Sequence, residues 1–291
     1  MKRGRVKHTS VMGEGSFCKV YKGELVDDLG NPSMNIVIKA LSEDATIMEK
    51  DTFHRETSLL CPLQHVNILG LLGVSPSEDS VFVVFEYLSE TNLHQFLKLK
   101  SPQNDGDENK SLDVGVLFDI AAQIANGMKY LAEFNYIHGD VAARNCFISE
   151  NEINVKISML GVGIGSHKYP LDYGWLHQGN SLFPIRWMSP ESLESLVLTS
   201  ENDIWAFGVL LWEIFSFGLR PYHQYSNTEV TDKVRALELL ECPQDWPNSV
   251  RNVIGDCWSV EPSMRPNFET IYDTLSNRYF NSLDKAVEVT V

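Results

Sequence analysis

The sequence predicts an α+β fold in two lobes, a small β-rich one with a single helix followed by a larger helical one. Three observations predict it. The first ~85 residues carry short β-branched and aromatic runs punctuated by glycine, the pattern of strands joined by turns. After Asn92 the apolar spacing changes to three and four residues, the pattern of helices packed on a core. The length, 291 residues, suits one large domain or two lobes sharing an interface.

Each element follows in order. "HTSVMGEGSFCKVYKGEL" gives two short strands around a glycine turn, and "NIVIKAL" gives a β-branched third. "EKDTFHRETSLLCPL" has helical spacing and sets Phe53, Leu59 and Leu60 on one side. "SVFVVFEYL", from Ser80, is an apolar strand that turns polar at "SETN". A polar, turn-rich loop spans 101–111. In "LDVGVLFDIAAQIANGMKYLAEFN", Val116, Ile120, Ile124, Met128 and Leu131 form one stripe, whose reading is core packing. Two short strands, "YIH" and "CFISENEINVKI", flank "HGDVAARN", and Ile153 to Ile157 reads as a buried strand entering a Gly-rich loop. The rest is helical, with loops at "CPQDWPNS" and "VEPSMRP". The implied division is a small lobe over 1–88, a large lobe over 89–280 and a charged, frayed tail over 281–291.

Bulk properties exclude several classes. The hydrophobic fraction of 43% fits a soluble globular chain, and the formal net charge of −15 argues against a general nucleic-acid or anionic-membrane surface. Cys18, Cys61, Cys146, Cys242 and Cys257 are odd in number and scattered, which fits a reducing compartment and no structural zinc. "MKRGRVKHTSVMGEG" lacks the apolar run of a signal peptide. The longest apolar run, "IWAFGVLLWEIFSFG", is short of a membrane span and carries Glu213, so it predicts a buried core helix. Work at a membrane would need an anchor outside this sequence.

Several residues point to chemistry. Gly13 and Gly15 stand between two strands, where backbone amides cover phosphates or simply make a hairpin turn; both readings are open. Lys39 ends the apolar run Ile36-Val37-Ile38, and Glu56 follows 17 residues later on the expected helix. A lysine buried there needs an anionic partner, whereas on an edge strand it would be an ordinary surface cation. "HGDVAARN" is the strongest signal. In a phosphotransferase its Asp140 would accept the substrate hydroxyl proton, and Asn145, five residues on, would help hold a metal. "PIRWMSPESL", "SENDIWAFGVLLWE" and "PSMRP" follow in the expected order.

With these motifs in place, the chain resembles a protein-kinase catalytic domain from residue ~8 to ~278. "AARN" and "PIRWM" look like the tyrosine-kinase branch, and "GNSLFPIRWMSPE" and "SENDIWAFGVLLWEIFSFGLRPYHQYSN" look like the receptor tyrosine kinase-like orphan receptors. "RWMSPE" and "WAFGV" are also similar to the colon-carcinoma-kinase and Ryk-type receptors, whose kinase domains are regarded as inactive. The resemblance implies a bilobal kinase fold and a single-pass receptor with this domain on the cytoplasmic side of the plasma membrane. It implies protein partners (other kinases, co-receptors, adaptors) and no nucleic acid. It makes Lys39 the strand lysine, Glu56 its helix partner, Phe85 the gatekeeper and Glu86, Tyr87 and Leu88 the hinge. Glu191 and Arg265 resemble the ion pair of the larger lobe, Asp203 the support beneath the catalytic loop, and Tyr169 and Tyr173 activation-loop tyrosines. For the two tyrosines, packed loop aromatics is the equal alternative.

Three positions depart from the pattern: Cys18 stands for the third loop glycine, Gly139 for the arginine before the catalytic aspartate, and Met159 for the metal-binding aspartate. A thioether is a poor ligand for hard Mg²⁺, and Ser158 to Tyr169 contains no Asp or Glu. Gly139 removes the guanidinium that would gather a loop phosphate, and the Cys18 side chain would crowd a nucleotide. The resulting expectation is a pseudokinase and not an enzyme, with no metal site and absent or weak ATP and Mg²⁺ binding. It would act as a signalling scaffold or allosteric binding module. The alternatives are a slow, atypical tyrosine kinase and a nucleotide-binding switch without catalysis.

Overall fold

The computed structural model describes residues 5–15, 17–27, 29–75, 81–89, 91–102, 112–149, 153–161, 169, 171–175 and 182–277. The 281–291 tail lies outside them. The chain divides into two compact units, Met1–Leu88 with Ser158–Pro184, and Ser89–Ile157 with Ile185–Val291. The segment 158–184 therefore groups with the first unit and not with its sequence neighbours.

In the first unit, β1 (Val6–Glu14), β2 (Cys18–Val26), β3 (Pro32–Leu41), β4 (Leu71–Val74) and β5 (Phe82–Glu86) form one antiparallel sheet in the order β1-β2-β3-β5-β4. Alternation along β3 splits its apolar run between two faces. Ile36 and Ile38 pack with Phe82 and Val84, while Val37 and Lys39 point the other way. The single helix of this unit, α1 (Ile47–Leu60), starts with a reciprocal cap. Thr46 Oγ1 accepts from the Glu49 amide at 3.3 Å, and Glu49 Oε2 accepts from the Thr46 amide at 2.7 Å. Phe53 and Leu60 are buried as expected, but Leu59 is exposed. It lies one residue, or ~100° of helix, from Leu60, too far round to share its face.

The second unit holds α2 (Leu93–Leu99), α3 (Val114–Glu133), α4 (Pro190–Ser195), α5 (Ser200–Phe215), α6 (Asn227–Arg235), α7 (Asn248–Cys257) and a last helix, α8, over 268–277. Ile120, Ile124, Met128 and Leu131 of α3 are buried, and Val116, in the helix's first turn, is half-buried. The run expected as one strand, "CFISENEINVKI", is instead a hairpin: β6 (Cys146–Ser149) pairs antiparallel with β7 (Asn154–Ile157), Cys146 facing Ile157. Ile153, at φ 47°, starts the return strand from a left-handed conformation. "YIH" is not a strand. Asn135 turns to φ 51°, the Tyr136 amide bonds back to Leu131 O at 3.0 Å, and the His138 amide is taken by a carboxylate. With those donors committed, the segment has no ladder to join. Two short strands in the first unit, β8 (Gly174–Trp175) and β9 (Leu182–Phe183), complete the strands among the described residues.

Among the described residues no helix is long and apolar enough to cross a membrane. The apolar run around Glu213 is α5, buried along most of its length. All five cysteines are unpaired thiols.

Candidate active site

In the sheet-bearing unit the site begins with Lys39. β3 is an interior strand, so the edge-strand reading of this lysine does not hold. Its side chain is 4% exposed, and Nζ donates to Glu56 Oε2 of α1 at 2.9 Å. The ammonium also lies 5.4 Å from the ring centroid of Phe53. Strand pairing sets Val20 opposite Lys39 and Cys18 opposite Leu41, so Cys18 shares the lysine's face of the sheet. Burial pushes the Cys18 thiol up to about 11. This cysteine is a small, inert core residue, not a nucleophile.

The glycine turn is closed on itself. Gly13 is buried within β1 opposite Val20, and the Gly15 amide donates to Cys18 O at 2.8 Å. Ser16 lies outside the described residues. Phe85 is buried in β5 and pairs with Val37. The Glu86 side chain turns back into its own unit: Oε1 accepts the Gly70 amide at 2.6 Å, while the Glu86 amide donates to Gly70 O at 2.8 Å. Tyr87 stacks beneath the Lys22 ammonium, 5.0 Å from its ring centroid.

Met159 and Leu160 are buried, Met159 to 3% exposure. Gly161 has φ +101°, a conformation that side chains rarely adopt, and a Cβ built on it would lie 3.2 Å from Lys39 Nζ. The lysine amino group therefore reaches the turn made by Met159-Leu160-Gly161. Tyr169 is half-buried, its carbonyl accepting from Asp172 N at 3.1 Å. Tyr173 is 3% exposed, so its hydroxyl would need the segment to open before a kinase could reach it.

In the helical unit the loop bearing Asp140 is held by two carboxylates of one helix. Asp203, in the first turn of α5, accepts the His138 amide at 2.7 Å and the Gly139 amide at 2.8 Å. Burial pushes its carboxyl up to about 6, against His138 and the two amides, which favour the charged form. Glu213, ten residues on, accepts the Ala143 amide at 3.1 Å and the Trp187 indole at 2.8 Å. Gly139 is at φ +74°, which explains why a glycine suits this position. The Asp140 carboxylate is paired with Arg144, whose guanidinium stacks 3.9 Å above the Trp187 ring. The Asn145 amide nitrogen donates to Asp140 O at 2.7 Å.

Elsewhere in the same unit, Arg265 makes a two-pronged pair with Glu191 at 2.6 and 3.0 Å, and donates to Glu201 O and Ser259 O. Burial raises the Glu191 carboxyl, but hydrogen bonds led by Arg265 outweigh it and hold the group below its usual range.

Sequence reasoning assigned no role to Arg144, Trp187 or Glu213. Glu213 left a signal: a carboxylate inside an apolar helix must find donors when buried. Arg144 left a weaker one, as a cation in the alanine-rich turn before Asn145.

These residues do not fit a magnesium ion well. Mg²⁺ asks for hard oxygen ligands, and position 159 offers a buried thioether. Asn145, whose Nδ2 donates to Asp140 O, could offer only its neutral Oδ1. Among the described residues no group of three or more His, Cys, Asp or Glu could hold a metal ion.

The two-carboxylate cradle under Asp140 and the strand-helix pair of Lys39 and Glu56 define a kinase catalytic domain. Residues 6–275 match the family described as "Protein tyrosine and serine/threonine kinase", and the chain belongs to that family. It is 40% identical over 270 residues to the "Tyrosine-protein kinase transmembrane receptor Ror" of Drosophila melanogaster, covering 93% of this chain and 38% of that one. It is 38% identical over 272 residues to the "NT-3 growth factor receptor" of Gallus gallus, covering 91% and 32%. With the "BDNF/NT-3 growth factors receptor" of the same species, identity is 36% over 281 residues, covering 95% and 34%. The chain thus spans about a third of the length of the curated relatives it matches.

These relationships correct one expectation. The departures at Cys18, Gly139 and Met159 predicted a chain that is not an enzyme. Its match to a kinase family over nearly its whole length, and its relation to named receptor kinases, overturn that reading. Met159 removes one ligand charge, whereas Lys39, Glu56, Asp140 and Asn145 all remain.

Proposed function

We propose that the chain is the protein-tyrosine kinase domain of a single-pass receptor and transfers phosphate from ATP to protein tyrosine slowly. The observation that carries this reading is the closed Lys39–Glu56 pair, 2.9 Å long with the lysine buried. A lysine so held presents a fixed positive charge to an anionic substrate group without first having to order its side chain. Asp140 accepts the proton of the attacking hydroxyl, and its loop is fixed in advance by Asp203 and Glu213. Arg144 donates to the Asp140 carboxylate and orients it. Met159 supplies magnesium no charge. Weak metal holding is the reason that turnover is slow.

In this reading the domain stands on the cytoplasmic side of the plasma membrane, with its anchor in a part of the receptor beyond this sequence. Its partners are proteins: other kinases, co-receptors and adaptors. Tyr169 and Tyr173 are the candidate sites at which a partner kinase marks it. The Ror relative, named a transmembrane receptor, supports that placement.

Phosphate incorporation into a tyrosine peptide, followed over long incubations with wild type and Asp140→Asn, tests the proposal. The aspartate variant should lose about 10²-fold or fall to background, the usual contribution of a general base. Wild-type incorporation no higher than that of Asp140→Asn would sink it.

A further inference from the structure

The misfit between this site and magnesium leads to a second conclusion about what the sheet-bearing unit binds. Three positions set the charge near the Met159-Leu160-Gly161 turn. Lys39 contributes +1, with its amino group 3.2 Å from where a Gly161 Cβ would lie. Glu56 contributes −1 through its pair with that lysine. Residue 159, where an aspartate would have made the corner net negative, contributes nothing. A corner of net charge −1 attracts a divalent cation. A neutral corner whose nearest head is an ammonium has no such pull, and presents the two N–H donors that Glu56 leaves over to an acceptor. The following residues do not restore the charge, for Ser158 to Tyr169 holds no Asp or Glu and does hold His167 and Lys168.

Burial supports the same conclusion. Met159 is 3% exposed and Leu160 7%, so the turn beside Lys39 contributes buried apolar side chains and no oxygen ligand from positions 159 and 160. Mg²⁺ sheds water reluctantly and keeps several waters in most sites. A thioether wall cannot hydrogen-bond those waters. A phosphate oxygen, by contrast, can accept directly from Lys39 Nζ with no water between them.

We infer that the Lys39 corner takes the phosphates of a nucleoside triphosphate as the metal-free anion, with Lys39 in place of magnesium as the neutralising charge. This rests on the proposed reading of Lys39 as the lysine that meets the nucleotide, and it names the ionic form that this lysine meets. Nucleotide affinity in this domain therefore does not require Mg²⁺. Excess magnesium weakens it slightly, because the metal complex carries two fewer negative charges for the lysine to attract.

Thermal melting of the whole domain with ATP, in EDTA and in excess Mg²⁺, tests this without reference to catalysis. Wild type should show a saturable rise in melting temperature in EDTA, with an apparent Kd within about threefold of the Mg²⁺ value. Lys39→Met should lose the rise in both buffers, and Met159→Leu, which keeps the apolar volume, should behave as wild type. Met159→Asp should become magnesium-dependent, its affinity improving about tenfold or more when the metal is added. A wild-type rise seen only with Mg²⁺ overturns the inference, and so does a cooperative melt with no rise in either buffer. The two proposals separate cleanly. Metal-insensitive binding with no phosphotransfer above Asp140→Asn would remove the catalytic reading alone, and active transfer with magnesium-dependent binding would remove this one alone.

Discussion

The loop around Asp140 and the turn around Met159 have been built on opposite terms. In the first, nearly every polar group is bonded to another: Asp203 holds two amides, Glu213 an amide and an indole, and Arg144 lies between Asp140 and Trp187. In the second, a buried thioether fills the place where a charge is expected. A network in which each member satisfies its neighbour cannot lose one without leaving a buried group unpaired. Met159 instead brings no charge that needs a partner, and its burial is worth roughly 1.5–3 kcal/mol. Charge can therefore leave the metal corner while the loop stays intact, and architecture here says more about stability than about rate.

The largest effect that would break this comparison belongs to the structural pair of the helical unit. Arg265→Ala removes the guanidinium that serves Glu191, two carbonyls and the Trp205 face. It should cost about 2–4 kcal/mol, below the full range for a buried ion pair because the Glu191 side chain is 35% exposed, read as a shift in the urea midpoint. A change below about 1 kcal/mol would show that dense polar networks in this domain are not what holds it.

Asp203→Asn comes next. The amide side chain keeps one acceptor oxygen for two backbone donors, so one of the His138 and Gly139 amides is left short, costing about 1–3 kcal/mol. The same variant carries a pH signature. Burial raises the folded-state value of Asp203 to about 6 from 3.8, so its stabilising share is full below the unfolded value and is lost as pH rises through the folded one. Wild-type stability relative to Asp203→Asn should therefore fall between pH 4 and 6. A difference that is flat across that window would mean that the two amides already hold the carboxyl at its ordinary value.

Gly139→Arg restores the residue that the kinase resemblance expects, and it should still destabilise. At φ +74° a side chain costs about 1–2 kcal/mol, unless the loop gives up the hydrogen bond to Asp203. Unchanged stability by calorimetry would mean that the backbone there adapts at no cost.

The sequence made the sheet and the long helices readable because their apolar periods are strong and local. β3 announced both its strand and, through Lys39, its need for Glu56. The failures share another cause. "YIH" has the residues of a strand, yet its donors are claimed by Leu131 and by Asp203, 65 residues away from His138. No window around Tyr136 contains that carboxylate. "CFISENEINVKI" read as one strand because its polar middle has no glycine or proline to mark a turn, and Ile153 takes the left-handed conformation without one. Of the site, residues in fixed motifs were legible, whereas Arg144, Trp187 and Glu213 act through partners that only folding brings together. Met159 was legible as a change of charge. Together with Cys18 and Gly139 it predicts a chain that is not an enzyme, and the family match over residues 6–275 answers that question differently.

The smallest expected effect tests the methionine as packing. Met159→Leu keeps nearly the same apolar volume in a site that is 3% exposed, so it should cost less than about 1.5 kcal/mol. Met159→Ala, by contrast, leaves a cavity and should cost about 2–5 kcal/mol. The ratio of the two is informative in a way that neither value is alone. If both are small, the turn yields and fills the space, and the apolar corner is soft enough to admit a hydrated ion after all. If only the alanine variant is costly, the thioether is a fitted part of the core, and magnesium would have to displace packed side chains to approach the place its carboxylate once held.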